Sequence, residues 1–165
     1  MRNLIKIKLP AFFCLAACLQ LLVLTQAVAE APWGRGKVNP IEYQPMKVVY
    51  DVSGYSVDEV EHVLDRASYL SKITGADPMD SSIVIVLHGS ELSYYAIKNY
   101  KKYKHLVDRA QSLTVGGIIK IKMCKIAAEG QGFKPEDIHG FIEIVPMGDA
   151  EIVRLQTEEG HAYMQ

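Results

Sequence analysis

Three side chains able to move protons or carry sulfur, Asp51, His88 and Cys124, each stand at the end of a short apolar run: Lys47 to Val52, Ser82 to His88, and Ile118 to Met123. In open α/β sheets the reactive groups gather outside the carboxyl ends of the strands. Cys124 is the most informative of the three. A helical segment starting directly after it aims unpaired backbone N–H groups and a positive dipole end at the sulfur, and Lys122 and Lys125 add cationic charge nearby. Each favours thiolate over thiol, the form that attacks or carries sulfur. His88 is the candidate to donate a hydrogen bond to the sulfur or to relay a proton. That role requires its strand to neighbour the strand of Cys124, which periodicity does not establish. The opposing reading of Cys124 is a buried structural thiol. Its strand-end position argues for function.

The elements that must position these residues alternate along the chain. Lys47 to Val52 is a β-branched strand. A helix should follow from Ser56, which stands three residues before Glu59 as a capping box does, with an apolar stripe from Val57 to Ile73 that ends near Gly75. The continuous apolar run Ser82 to His88 is what a strand covered on both faces looks like. From Leu92 to about Val115 the apolar positions keep a helical period, as one helix or as two meeting near Tyr100, and Gly116-Gly117 stops it. The third strand delivers Cys124 to a small helical segment, Lys125 to Glu129. A turn of helix around Pro135, a strand from Gly140 to Val145, a helix from Gly148 to Glu159 and an edge strand from His161 to Met164 complete the series. Strand and helix alternate throughout. The expected fold is α/β, a three-layer α/β/α domain with a mainly parallel sheet of about five strands and helices on both faces.

The whole chain has 165 residues, 49% hydrophobic and 22% charged, enough to close one core and incompatible with a disordered or collagen-like chain. Its net charge of −1 offers no field for gathering nucleic acid or anionic lipid. Two populations are mixed in these figures. The first 29 residues carry only the charges Arg2, Lys6 and Lys8, then an apolar run from Leu9 to Val28, and end in Ala27-Val28-Ala29. This is the pattern of a secretory signal cleaved before Glu30. The run approaches bilayer-spanning length, but the Ala-x-Ala exit favours removal over retention as an anchor, so no stable membrane insertion is expected afterwards. Leu15-Ala16-Ala17-Cys18 fits lipoprotein processing but is followed by residues that stay strongly apolar.

Removing the signal takes three of eighteen basic residues and none of nineteen acidic ones, leaving a net charge of −4. Cys14 and Cys18 leave with it, so Cys124 is the one thiol of the exported protein and no intramolecular disulfide is possible. Residues 30–46 carry Pro32, Pro40, Pro45, Gly34 and Gly36, an arm whose Trp33, Ile41 and Tyr43 are its docking side chains. Residues 47–165 form the compact domain.

Other constellations carry structural readings. His62, His105, His139 and His161 show no metal-ligand spacing, and no metal site is assigned. A thioredoxin-like dithiol is excluded by the lack of a second cysteine. Lys98, Lys101, Lys102, Lys104 and His105 interleaved with Tyr100 and Tyr103 have the composition of a nucleic-acid patch. The negative net charge and helical period favour a solvated helix face, and no nucleic-acid partner is expected. Neither Gly34-Arg35-Gly36 nor Gly130-Gln131-Gly132 follows a strand and opens a helix, so no nucleotide or other cofactor is expected. Asp149 and Glu151 offset a helix dipole in the first turn after Gly148.

Taken in order, Lys47-Val48-Val49-Tyr50-Asp51-Val52, Val86-Leu87-His88-Gly89, Cys124-Lys125-Ile126-Ala127-Ala128 leading to Gly132-Phe133, Val145-Pro146-Met147-Gly148, Arg154-Leu155-Gln156 and Glu159-Gly160-His161-Ala162-Tyr163 resemble the DsrE/DsrF-like family of YchN-like fold. The resemblance covers essentially the whole domain. It implies a domain that assembles into trimers or hexamers, and sulfur carriers that hold a persulfide on a cysteine matching Cys124, with donor and acceptor proteins as partners. Those carriers work in the cytoplasm, whereas this chain carries an export signal, which by the same resemblance leads to a bacterial periplasm. The alternative is a non-catalytic oligomeric module of the same fold that binds a ligand or scaffolds.

Overall fold

A computed structural model describes residues 31–75 and 77–165. The signal read over residues 1–29 lies outside them. The chain forms two compact units, the first ending at Asn39 and the second running from Pro40 to Gln165. In the described part of the first, Gly34 N–H closes a turn on the carbonyl of Ala31 at 2.8 Å. Every helix and strand below belongs to the second. No helix among the described residues is long and apolar enough to cross a membrane.

The second unit opens with strand β1 (Lys47–Val52) and helix α1 (Val57–Ile73). The expected capping box is formed: Ser56 Oγ accepts the Glu59 N–H and the Glu59 carboxylate accepts the Ser56 N–H at 2.7 Å. These bonds satisfy two of the donors that a helix start leaves without partners; the Ser56 hydroxyl, which donates to the same carboxylate at 2.6 Å, and the Ser56 N–H hold the Glu59 carboxyl below its ordinary range. Strand β2 (Ser82–Leu87) is buried on both faces from Ile83 onward, as its unbroken apolar run requires.

The stretch after β2 divides at Tyr100, as the two-helix alternative expects, but its first part is 3₁₀ and not α-helical. Two 3₁₀ turns, Ser90–Tyr95 and Ile97–Asn99, precede helix α2 (Tyr100–Thr114). The break has a tertiary cause: Ala96 is extended, at φ −75° and ψ 134°, and pairs in an isolated antiparallel bridge with Ile138. Strand β3 (Ile119–Cys124) runs directly into the short helix α3 (Lys125–Gly130). A 3₁₀ turn at Pro135–Asp137 leads to strand β4 (Glu143–Val145), which is shorter than the run from Gly140 because Ile142 N–H turns back to the His139 carbonyl. Helix α4 (Gly148–Glu158) and strand β5 (Ala162–Met164) close the chain.

The five strands form one sheet in the order β4-β3-β2-β1-β5, and all four pairings are parallel. The topology dictates which face each helix covers. From β1 through β4 the chain steps steadily toward one edge, and right-handed crossovers leave α1, α2 and α3 on one face. From β4 it returns to the far edge to form β5. The same handedness then puts α4 on the opposite face. Two cores record this arrangement. The larger contains Tyr50, Ile85, Leu87, Ile121 and Met123 with Leu64, Leu106 and Ala128, and the smaller contains Val49, Val84 and Val86 beneath Ile152 and Leu155 of α4. The domain is a three-layer α/β/α sandwich.

Candidate active site

Strand alternation sorts the chemistry onto one face. Val48, Tyr50 and Val52 face the larger core, as do Ile119, Ile121 and Met123. Asp51, Lys122 and Cys124 fall on the opposite side with α4, and His88, one residue past β2, continues the same parity. The expectation that β2 and β3 are neighbours is met, with Leu87 paired to Met123 at their ends.

Topology also marks where along the strand ends a site belongs. The chain leaving β3 goes to the α1/α2 face and the chain leaving the adjacent β4 goes to the α4 face. A crevice opens where neighbouring connections diverge in this way. Cys124 ends β3 at that point, and Gly148 opens α4 on its other side.

Cys124 is buried, at 5% exposure, and caps α3: its Sγ lies 3.5 Å from the Ala127 N–H, which points at it. Gly148 supplies the closest approach. A β-carbon built there would sit 2.8 Å from the His88 β-carbon and 3.2 Å from that of Cys124, so those two β-carbons are no farther apart than the sum of these distances. The start of α4 therefore lies directly over both residues. Its N-cap, Met147, makes no side-chain cap bond.

His88 is engaged on its far side. Its Nε2 stands 2.6 Å from Asp51 Oδ1, and the Tyr163 hydroxyl donates to Asp51 Oδ2 at 2.6 Å. An ionised carboxylate only accepts, so Nε2 carries the proton and, in the neutral ring, Nδ1 keeps its lone pair. The Asp51 bond also holds the Tyr163 hydroxyl above its ordinary pKa. The pair is partly open, with side-chain exposures of 15% for His88 and 23% for Asp51. The arrangement brings His88 and Cys124 to one glycine without a hydrogen bond between them and presents the Ala127 N–H to the sulfur.

The cationic support expected around Cys124 requires correction. Lys122 is buried and its Nζ bonds Glu151 Oε1 at 2.6 Å and Glu143 Oε1 at 3.2 Å, so its charge is spent on carboxylates beneath α4. Arg154 donates to the Glu151 carboxylate from Nε and Nη2, both at 2.8 Å, and with Lys122 holds that carboxyl down to about 2. Lys125 lies 3.6 Å from Glu129 one turn along α3.

The remaining histidines do not join the site. His161 is buried, its Nδ1 facing the Leu155 carbonyl at 3.1 Å and its Nε2 facing Ser82 Oγ at 3.0 Å. His105 lies within α2 near Glu61, and His139 packs against Tyr100 and Phe141. No group of three or more His, Cys, Asp or Glu among the described residues could hold a metal ion. The lysine and tyrosine stretch turns inward on itself: Lys102 lies over the Tyr103 ring, Lys104 over Tyr100, and Lys98 over Phe133.

Sequence reasoning missed Tyr163, Gly148 and Glu91 as parts of this region. Glu91 is fully buried, its Oε1 accepting the Gly89 N–H at 2.7 Å and its Oε2 the Gly54 N–H at 2.8 Å. A charged residue just after a strand-end histidine was the available signal.

No family model matches the chain, and no curated protein matches it. Among solved structures it is similar to a protein of unknown function, MTH1491, from Methanobacterium thermoautotrophicum, with a TM-score of 0.57 and 21% identity over 72% of this chain and 97% of that one. The likeness is one of fold.

Proposed function

We propose that the protein is a sulfur carrier or sulfurtransferase-like protein that holds a persulfide on Cys124. The observation that supports this most is the convergence on Cys124 at the β3/β4 divergence. Ala127 N–H points at Sγ, the start of α4 packs on the Cys124 β-carbon at Gly148, and an imidazole oriented by Asp51 packs on the same glycine. The resemblance of the ordered segments to the DsrE/DsrF-like family supports the same reading.

The chemistry balances without an added oxidant. Nδ1 of His88 takes the Cys124 proton, and the thiolate attacks the outer sulfur of a donor persulfide. A new S–S bond forms on Cys124, the donor's S–S bond breaks, and the donor leaves as a thiol after taking the proton back. Delivery reverses the roles: an acceptor thiolate attacks the outer sulfur and Cys124 departs as thiolate. The Ala127 N–H at the start of α3 stabilises the anion in either direction. The partners are then a sulfane-sulfur donor and a thiol acceptor. We extend the proposal to an exported, periplasmic protein after cleavage before Glu30, assembled as a homotrimer or homohexamer.

Burial of Cys124 favours the alternative, a non-catalytic binding or scaffolding module of the same fold. Intact mass after incubation with polysulfide separates the two. The carrier gains one sulfur atom that Cys124→Ser does not gain, whereas absence of any adduct on the folded protein supports the module.

A further inference from the structure

The structure assigns Glu91 a role as the positioning residue that fixes His88 against Asp51. The clamp acts on the backbone of the two loops that follow the pair. Asp51 lies one residue before the end of β1 at Val52, after which come Ser53-Gly54; His88 lies one residue past β2 and is followed by Gly89. One buried carboxylate takes the N–H of Gly54 on one oxygen and the N–H of Gly89 on the other, residues far apart in sequence. Acceptance by a single rigid group fixes the separation of the two loops.

Two further contacts converge on the same point. Gly89 is pressed against the first loop so closely that a β-carbon there would lie 2.0 Å from Gly54 N and 2.7 Å from the Ser53 carbonyl carbon. Its own carbonyl accepts from Gln131 Nε2 at 2.7 Å, which ties in the far end of α3, the helix that Cys124 caps. Glu91 touches neither sulfur nor imidazole. It acts through Gly89, the residue bonded to His88, and so holds Nε2 on Asp51 and leaves Nδ1 free of that partner. The consequence for sulfur loading rests on the persulfide reading above, but the consequence for the His88 tautomer does not.

The test is ¹⁵N spectroscopy of the His88 imidazole at neutral pH in the full chain as produced, assigned by loss of its signal in His88→Gln. Wild type, Glu91→Gln and Glu91→Ala are compared, and Cys124 loading from polysulfide is timed for each. Wild type is expected to show a single Nε2–H tautomer. Glu91→Ala is expected to show a mixture of tautomers and at least a tenfold slower loading, and Glu91→Gln, which keeps one acceptor oxygen, to fall between. A Glu91→Ala protein that folds with the wild-type tautomer overturns the inference. If Glu91→Ala does not fold, a folded Glu91→Gln with an unshifted tautomer overturns it equally. A wild type that never loads sulfur overturns the persulfide reading alone, because the tautomer comparison is still made.

Discussion

Gly148 packs its α-carbon against His88 so tightly that a methyl group there has no room, and the obstructing atoms are a β-carbon and a ring carbon rather than the end of a flexible chain. Gly148→Ala must therefore move the start of α4 or the imidazole. Alanine's better helix propensity is worth about 1 kcal/mol at most and less in a first turn, while overpacking costs about 1–3 kcal/mol. The clash wins. Denaturant unfolding should show a net loss of about 1–2 kcal/mol, and loading of Cys124 should slow. Unchanged stability would mean that α4 is free to lift off the sheet.

The Asp51–His88 pair predicts a graded series. His88→Ala should slow Cys124 loading by about ten- to a hundredfold if Nδ1 takes the proton. Asp51→Asn keeps an acceptor for Nε2–H but removes the charge that favours it, so it should fall between His88→Ala and wild type. Tyr163→Phe removes one hydrogen bond to the outer oxygen of Asp51, a half-exposed contact, and should change the rate by only a few-fold. Timed intact-mass measurements order the three. A Tyr163→Phe effect as large as that of His88→Ala would make the tyrosine, not the imidazole, the acting group.

How much of this was legible in the sequence depends on the range of the contacts involved. The strand Lys47 to Val52 and the Ser56–Glu59 cap follow from neighbours a few residues apart, and both were read with their boundaries. The parity that puts Asp51 and Cys124 on one face follows from alternation. Lys122 was read as free charge beside Cys124 because its carboxylate partners are distant in sequence; Lys120 is exposed, but Lys122 is buried with Glu151 on a helix that arrives only after β4. Glu91 and Gly148 were missed for the same reason. Their partners, Gly54 in one case and His88 and Cys124 in the other, meet them only once the sheet order is set.

The buried network under α4 predicts an asymmetry between its two ends. Lys122→Met leaves Glu151 with Arg154, whereas Glu151→Met leaves a buried ammonium with only the half-exposed Glu143. An uncompensated buried charge is the costlier outcome. Glu151→Met should therefore destabilise more than Lys122→Met, and the double substitution should recover part of the loss. Equal single-mutant losses in urea unfolding, with additivity in the double, would contradict this.

Two acid-side losses of stability should separate by pH. The Glu151 carboxyl is held at about 2 against 4.5 for the unconstrained group, so its contribution is complete above 4.5 and lost as pH falls toward 2. His161 behaves in the same direction for a different reason: burial disfavours its charged form and pushes its pKa below 6.5. A carbonyl can only accept, so Nδ1–H donates to Leu155 and the neutral ring accepts the Ser82 hydroxyl at Nε2. Protonation would set two donors against each other at Ser82 unless its hydroxyl turned away. The unfolded chain protonates its histidine first, near 6.5, so stability starts to fall there and stops falling once the folded protein also takes the proton. His161→Phe should lower stability at pH 7.5 by removing the Ser82 bond, yet flatten the slope just below pH 6.5 and leave the loss below 4.5 in place. Urea unfolding from pH 7.5 to 2 measures both. An undiminished slope below 6.5 in His161→Phe would show that His161 is not the titrating group.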